Sequence, residues 1–259
     1  MERKPFKDRL HAGEPMCCMT VMLGEPTIVE TCAAGGIDFL FVCSEHGTRS
    51  PDRLDAVART ALALGIPAIA RVPYPDGREV SRLIEMGYVG TILPHTRSVE
   101  QVKDFVAAHF HPPQGYRSFA NCVRTGDWGL IEGNRYIQAS DGQLVVAVMV
   151  EDVEAVENAD SLLAVPGVDI AFIGRADLSL SMHGRYAASD PSVLDATAHV
   201  AELCRHHNVA PMTYIDTAEQ VKLFRDMGIQ LLVLGGDMGL WAVGCRDAAR
   251  LFRSVYGLP

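Results

Sequence analysis

LVVAVMVEDVEAVENADSLLAVPGVDIAFIGRAD, residues 144–177, contains one full unit of a repeating architecture. The run VVAVMV has no polar position, as suits a parallel strand covered on both faces. A longer helical stretch follows and stops at Pro166-Gly167, where glycine accepts the left-handed conformation that ends a helix. A second apolar run, Asp169–Ile173, comes next. Each run leads into a polar cluster, Glu151-Asp152 after the first and Gly174-Arg175-Ala176-Asp177 after the second.

The same unit recurs along the chain. Strands are expected at Met16–Met22, Asp38–Cys43, Ala68–Val72, Gly90–Pro94, Leu144–Val150, Asp169–Ile173, Ala210–Tyr214 and Gln230–Leu234. Helix starts are marked by Ser50-Pro51 and Asp190-Pro191, and by the capping-box spacings Ser98…Gln101 and Thr217…Gln220. Val80, Leu83 and Ile84, then Val102, Phe105 and Val106, form the i, i+3, i+4 stripe of helices packed on a sheet. Glycines in GGIDF, LGIPA, MGYVG and MGIQL end further helices just before strands. Eight such units in 259 residues predict an α/β fold, a single (β/α)8 TIM barrel spanning residues 1–259. An open doubly wound sheet is the alternative, but no GxGxxG or GxxxxGK[ST] supports a nucleotide site. The irregular stretch His109–Asn134 is long for a connector and is expected to form a functional loop over the barrel mouth.

Composition limits the partners. With 23 Lys+Arg against 32 Asp+Glu, the net charge of −9 argues against nucleic-acid or anionic-membrane surfaces. No apolar run approaches the roughly 20 residues of a membrane span, and the N-terminus lacks the apolar segment of a signal peptide. A cytoplasmic protein is expected. The seven cysteines are scattered, without zinc spacing, and read as reduced thiols.

In a (β/α)8 barrel the chemistry sits at the C-terminal strand ends. Those positions hold Ser44-Glu45-His46-Gly47, Arg71, Pro94-His95, Glu151-Asp152 and Gly174–Asp177. Any one of them alone could be a loop cap or a solvated charge, but here they converge on one rim. Arg71 offers a planar donor fork for a carboxylate or 2-oxo acid. Glu151 and Asp177, on neighbouring strands, can share a Mg²⁺- or Mn²⁺-type ion, or be plain arginine-paired carboxylates. His46 and His95 can polarise a carbonyl or move protons near neutral pH. The Gly174–Asp177 turn can offer backbone N–H groups to a carboxylate. This equipment suits enolate formation and carbon–carbon bond making or breaking. His109, His111, His206 and His207 read as solvated, and Met212 and Met238 as barrel packing. Gly235–Gly239 reads either as a phosphate-binding turn or as a tight turn before the last helix.

At these residues the chain resembles the HpcH/HpaI aldolase family of the phosphoenolpyruvate/pyruvate superfamily. The segments that carry the likeness are GIDFLFVCSEHG, ARVPYPDGREVSRLIEMGYVGTILPH, PPQGYRS, VMVEDVEAVENADSLLAVPGVDIAFIGRADLS and LLVLGGDMGL. The resemblance implies a TIM barrel that forms a homo-oligomer, with its last helix packed on a neighbouring subunit. It implies metal-ligand positions at Glu151 and Asp177, an oxo-acid clamp at Arg71 and an acid/base at His46. It also implies a carboxylate seat at the Ala176–Asp177 amides. Arg117 matches a GxR loop, and Arg124 and Tyr136 match lid positions, so both arginines are candidate substrate-binding residues.

Four departures set this chain apart from the family's aldolases. Cys43 stands where they place aspartate, and Arg175 where proline is common. Met19-Thr20 replaces a tryptophan, and LPHTR adds His95 to the rim. The chain is in this respect similar to the siderophore-associated citrate synthases, a branch requiring no metal that condenses oxaloacetate with acetyl-CoA. The expected function is therefore citrate synthesis for siderophore biosynthesis, with no cofactor required. The alternatives are a Mg- or Mn-dependent class II aldolase using pyruvate or oxaloacetate with an aldehyde, and a barrel that only binds a 2-oxo acid.

Overall fold

The computed structural model describes residues 4–47 and 50–258. Eight parallel strands close a barrel in chain order: β1 Met16–Val21, β2 Phe39–Cys43, β3 Ala68–Arg71, β4 Gly90–Leu93, β5 Val145–Val150, β6 Ile170–Ile173, β7 Ala210–Tyr214 and β8 Leu231–Gly236. The observed strand bounds lie within two residues of the expected ones. β8 pairs with β1 across a register shift between Cys18 and Thr20.

Alternation along the strands sorts two cores. Leu40, Val42, Ala70, Val146, Val148, Ala171 and Ile173 face the helices. Phe39, Phe41, Cys43, Ile69, Ile92, Val145, Ala147, Met149, Ile170, Phe172 and Met212 fill the barrel. Because successive side chains point to opposite faces, continuing the inward set by two residues reaches Arg71 after Ile69, Glu151 after Met149, Gly174 after Phe172 and Tyr214 after Met212. The strand period thus projects a polar layer onto one end of the barrel.

A short N-terminal helix, Phe6–His11, closes the opposite end. Phe6 and Leu10 enter the barrel interior, with the Phe6 ring 4.9 Å from Phe39. Lys7 donates to the Leu144 carbonyl at 2.6 Å, Arg9 to Asp38 at 2.8 Å, and Gln230 donates to the Leu10 carbonyl at 3.0 Å.

Most helix signals act as read. Ser98 caps its helix by accepting from the Gln101 amide, and Asp190 accepts from Ser192. Gly65 and Gly87 end helices in the left-handed conformation. Thr217 departs from expectation, since its side chain makes no cap hydrogen bond; Gln220 instead accepts from the Asp216 amide.

The stretch 109–134 does not cover the mouth. It belongs to the connection from the helix Val99–Ala107 to the helix Gly133–Gln143, which leads directly into β5. Nor are its histidines solvated. His109 is fully buried between the Thr91 hydroxyl and the Phe105 carbonyl, both at 2.8 Å, and His111 is buried against Asp141. In the last helix, Asp237–Tyr256, only Asp237 is buried; Met238 is exposed and does not pack the barrel, and Trp241 is 74% exposed. An apolar groove formed by Met19, Leu23, Ile28, Cys32 and Ile37 lies beside its first turn.

Candidate active site

The polar end of the barrel holds a cavity of about 300 Å³ lined by Thr20, Cys43, His46, Arg71, Phe172, Gly174, Ala176, Asp177 and Tyr214, among others. Arg71 is nearly buried above the Phe41 ring, with its guanidinium carbon 5.4 Å from the centroid. Its Nε lies 3.1 Å from Glu45 Oε2. Its Nη2 faces the Cys43 sulfur at 3.0 Å and its Nη1 the Met149 sulfur at 3.6 Å. Burial alone would lower its pKa, but Cys43, Glu45 and Glu151 outweigh that and raise it, so the cation persists. Sulfur is a weak acceptor, so a substrate carboxylate can claim the two Nη groups.

Glu151 is 1% exposed. Its Oε1 accepts from the His95 backbone N–H at 2.7 Å and lies 3.3 Å from His95 Nδ1. Its Oε2 is buried, with no hydrogen-bond partner among the described residues. Burial pushes this carboxyl's pKa up, and nearby Asp177 adds to the shift, while His95 and Arg71 pull it back. Gly174 makes room for it, because a Cβ there would stand 2.6 Å from Glu151 Cβ and 2.9 Å from Oε2.

His95 follows β4 in a left-handed conformation, φ 48°, which is uncommon outside glycine. Both its ring nitrogens face carboxylates, Nδ1 toward Glu151 and Nε2 toward Glu45 Oε1 at 3.2 Å. His46 is the more open of the two, with a side chain 61% exposed and Nε2 3.9 Å from Glu45 Oε2. Its backbone N–H points at the Cys43 sulfur, 3.3 Å away.

The helix Arg175–His183 starts at the opposite wall. The Gly174 amide is spent on the Val150 carbonyl at 3.0 Å. The amides of Ala176 and Asp177 lie in the first turn, where no intrahelical acceptor exists, so a carboxylate can sit there.

The structure therefore brings His46, Arg71, His95, Glu151, Gly174, Ala176 and Asp177 together. It does not bring in Arg117 or Arg124. Arg117 is buried against Asp141 at 2.6 Å and Ser140 at 2.7 Å, and Arg124 reaches Asp55 at 2.7 Å and stacks near Trp128. Arg175 lines the cavity, but its guanidinium is committed to the Tyr214 carbonyl and Asp216 and lies 4.7 Å over the Phe224 ring. The turn after β8 is the plain one: Asp237 itself accepts from the Met22, Leu23 and Met238 amides at 2.7–2.9 Å.

Sequence reasoning did not single out Glu45, which touches three rim residues, or the Thr20–Tyr214 pair at 2.5 Å. Tyr214 was findable by strand alternation. Its burial pushes the phenol up to about 12, so it stays protonated.

The resemblance implies a divalent ion at Glu151 and Asp177, and the donor chemistry fits. Both are hard oxygen donors, Glu151 just past β5 and Asp177 in the first turn of the helix that follows the neighbouring β6, and one Glu151 oxygen is unclaimed among the described residues. Among the described residues no group of three His, Cys, Asp or Glu is arranged around a common point. A Mg²⁺- or Mn²⁺-type ion fits such a site, because it takes one or two carboxylates and completes its shell with water and substrate oxygens. Bound there, it would polarise an oxo group.

The chain is similar to known proteins over nearly its full length. The 4-hydroxy-2-oxo-heptane-1,7-dioate aldolase of Salmonella arizonae is 28% identical over 254 residues, covering 96% of this chain and 95% of that protein. The hydroxypyruvate/pyruvate aldolase of Cupriavidus necator is 26% identical over 253 residues, covering 96% and 92%. The crystal structure of the citrate synthase SbnG superposes with a TM-score of 0.85 at 27% identity, covering 98% of each chain. Residues 17–242 match a single family description, and the chain belongs to that family, HpcH/HpaI aldolase/citrate lyase.

Proposed function

We propose that this member of an aldolase- and lyase-type enzyme family condenses oxaloacetate with acetyl-CoA to give citrate, without requiring a metal. The observation that carries the reading is that two carboxylate seats share one cavity. Arg71 forms one wall, with its Nη groups opposed among the described residues by sulfur, and the start of the helix Arg175–His183 forms another. A four-carbon oxo dicarboxylate uses both seats.

In this reaction Glu151 takes a proton from the acetyl-CoA methyl group. Its raised pKa makes it a stronger base than an ordinary carboxylate. The resulting enolate carbon attacks the oxaloacetate ketone. His46, whose ring is open to the cavity, donates to the oxygen on which negative charge develops. His95 already faces two carboxylates; it holds Glu151 in place and reaches the thioester oxygen once that oxygen displaces one of them. Water then cleaves the citryl thioester, releasing citrate and the free CoA thiol. Citrate made this way suits iron-chelator assembly.

The unclaimed oxygen of Glu151 beside Asp177 favours the second reading, a Mg- or Mn-dependent aldolase acting on pyruvate or oxaloacetate and an aldehyde. One experiment separates the two. Chelator-treated protein is given oxaloacetate and acetyl-CoA while free thiol is followed. Thiol release with EDTA present supports the synthase. Turnover only with pyruvate, an aldehyde and Mn²⁺ replaces it with the aldolase. Silence in both arms leaves a 2-oxo-acid-binding barrel.

The exposed last helix and the apolar groove beside it support a homo-oligomer in which that helix packs on a neighbouring copy. Among the described residues no helix is long and apolar enough to cross a membrane, and we place the enzyme in the cytoplasm, acting on small molecules.

A further inference from the structure

We propose that Glu45 is the positioning residue of this site: one carboxylate that sets the orientation of Arg71 and His95 together. The inference rests on the reading that Arg71 binds the oxo acid. Glu45 lies two residues beyond β2, and its side chain is only 13% exposed. From there it reaches the ends of the next two strands. Oε2 stands 3.1 Å from Arg71 Nε, and Oε1 stands 3.2 Å from His95 Nε2.

These contacts define what the two side chains can do. A guanidinium is planar, so the charge of Glu45 beside Nε, an ion pair without hydrogen-bond geometry, draws that edge back and leaves the opposite, Nη edge toward the cavity. Among the described residues its hydrogen-bond partners there are the sulfurs of Cys43 and Met149. The strong acceptor is thus at the rear of Arg71 and the weak acceptors at the front, which leaves the front to a substrate carboxylate. His95 is half exposed on a left-handed residue, and packing alone does not hold its ring. Glu45 on Nε2 and Glu151 on Nδ1 fix the ring from both sides. Through this bridge Glu45 ties the oxo-acid clamp to the residue that braces Glu151.

The test is oxaloacetate binding measured by calorimetry on the wild-type protein, Glu45→Gln, Arg71→Ala and the double variant. Glu45→Gln keeps size and removes charge. It is expected to weaken oxaloacetate binding about tenfold, the scale of a charge-assisted contact, and to add less than about twofold when Arg71 is already alanine. Glu45→Asp, which keeps the charge beside Arg71, is expected to recover part of the loss, and it serves as the test variant if Glu45→Gln does not fold. A loss of equal size in both backgrounds, or wild-type binding by folded Glu45→Gln, overturns the proposal while leaving Arg71 as the clamp. Absence of oxaloacetate binding by the wild-type protein overturns the functional reading, and the inference with it.

Discussion

Replacing Gly174 with alanine tests whether the position of Glu151 matters. Gly174 has φ −86° and ψ 76°, which an L-residue can adopt, so the effect is steric rather than conformational. The added Cβ would stand 2.6 Å from Glu151 Cβ, 2.9 Å from its Oε2 and 3.4 Å from Met149 Cε. Unstrained carbon atoms keep about 3.5–4.0 Å, so something must move by about 1 Å. The β5 and β6 backbones are paired here, Val150 with Ile173, so the Glu151 side chain gives way first. A misplacement of about 1 Å can slow a reaction by about 100-fold, and overpacking destabilises by about 1–3 kcal/mol. In a chain this long that lowers Tm by roughly 2–10 °C. The assay is thiol release at saturating oxaloacetate and acetyl-CoA, with a melting curve on the same sample. Folded Gly174→Ala with wild-type kcat would refute the role given to Glu151.

Three further outcomes are expected. Cys43→Asp adds a carboxylate where a sulfur now stands 3.0 Å from Arg71 Nη2; it should raise the KM for oxaloacetate at least about tenfold, as steady-state kinetics would show. Burial holds the His109 pKa down at about 4 against an ordinary value near 6.5. Its contribution to stability is therefore present above pH 6.5 and is lost as pH falls toward 4, by about 3 kcal/mol in all. Urea midpoints of His109→Gln should fall less than those of the wild type between pH 7 and 4.5. Trp241→Asp on the exposed last helix should lower the mass measured by light scattering, and an unchanged mass would remove this helix from the interface.

The strands were legible because each is a short apolar run, five of them following a glycine helix stop, and that pattern needs no tertiary information. Arg71, Glu151 and Gly174 were legible for a related reason: strand period places them on the inward face one step past the core. Glu45 stands one inward step past Cys43 by the same rule, and what hides its role in sequence is that its partners come from two other strand ends. Arg117, Arg124, His109 and His111 lie in a connection whose course is set by packing, and there a buried ion pair such as Arg117–Asp141 looks in sequence like two surface charges. The helix Phe6–His11 spans six residues, too few to display a helical period.

That helix has a kinetic consequence. With Phe6 and Leu10 filling the far end of the barrel, the cavity lies at the C-terminal rim. Under the proposed synthase reaction both substrates reach the cavity from that rim. On that proposal the smaller oxo acid, whose seats lie on the inner walls, enters before the long thioester covers the rim, and the products leave in the reverse order. Initial-rate patterns should accordingly be those of an ordered sequence, in which excess thioester inhibits by blocking the passage.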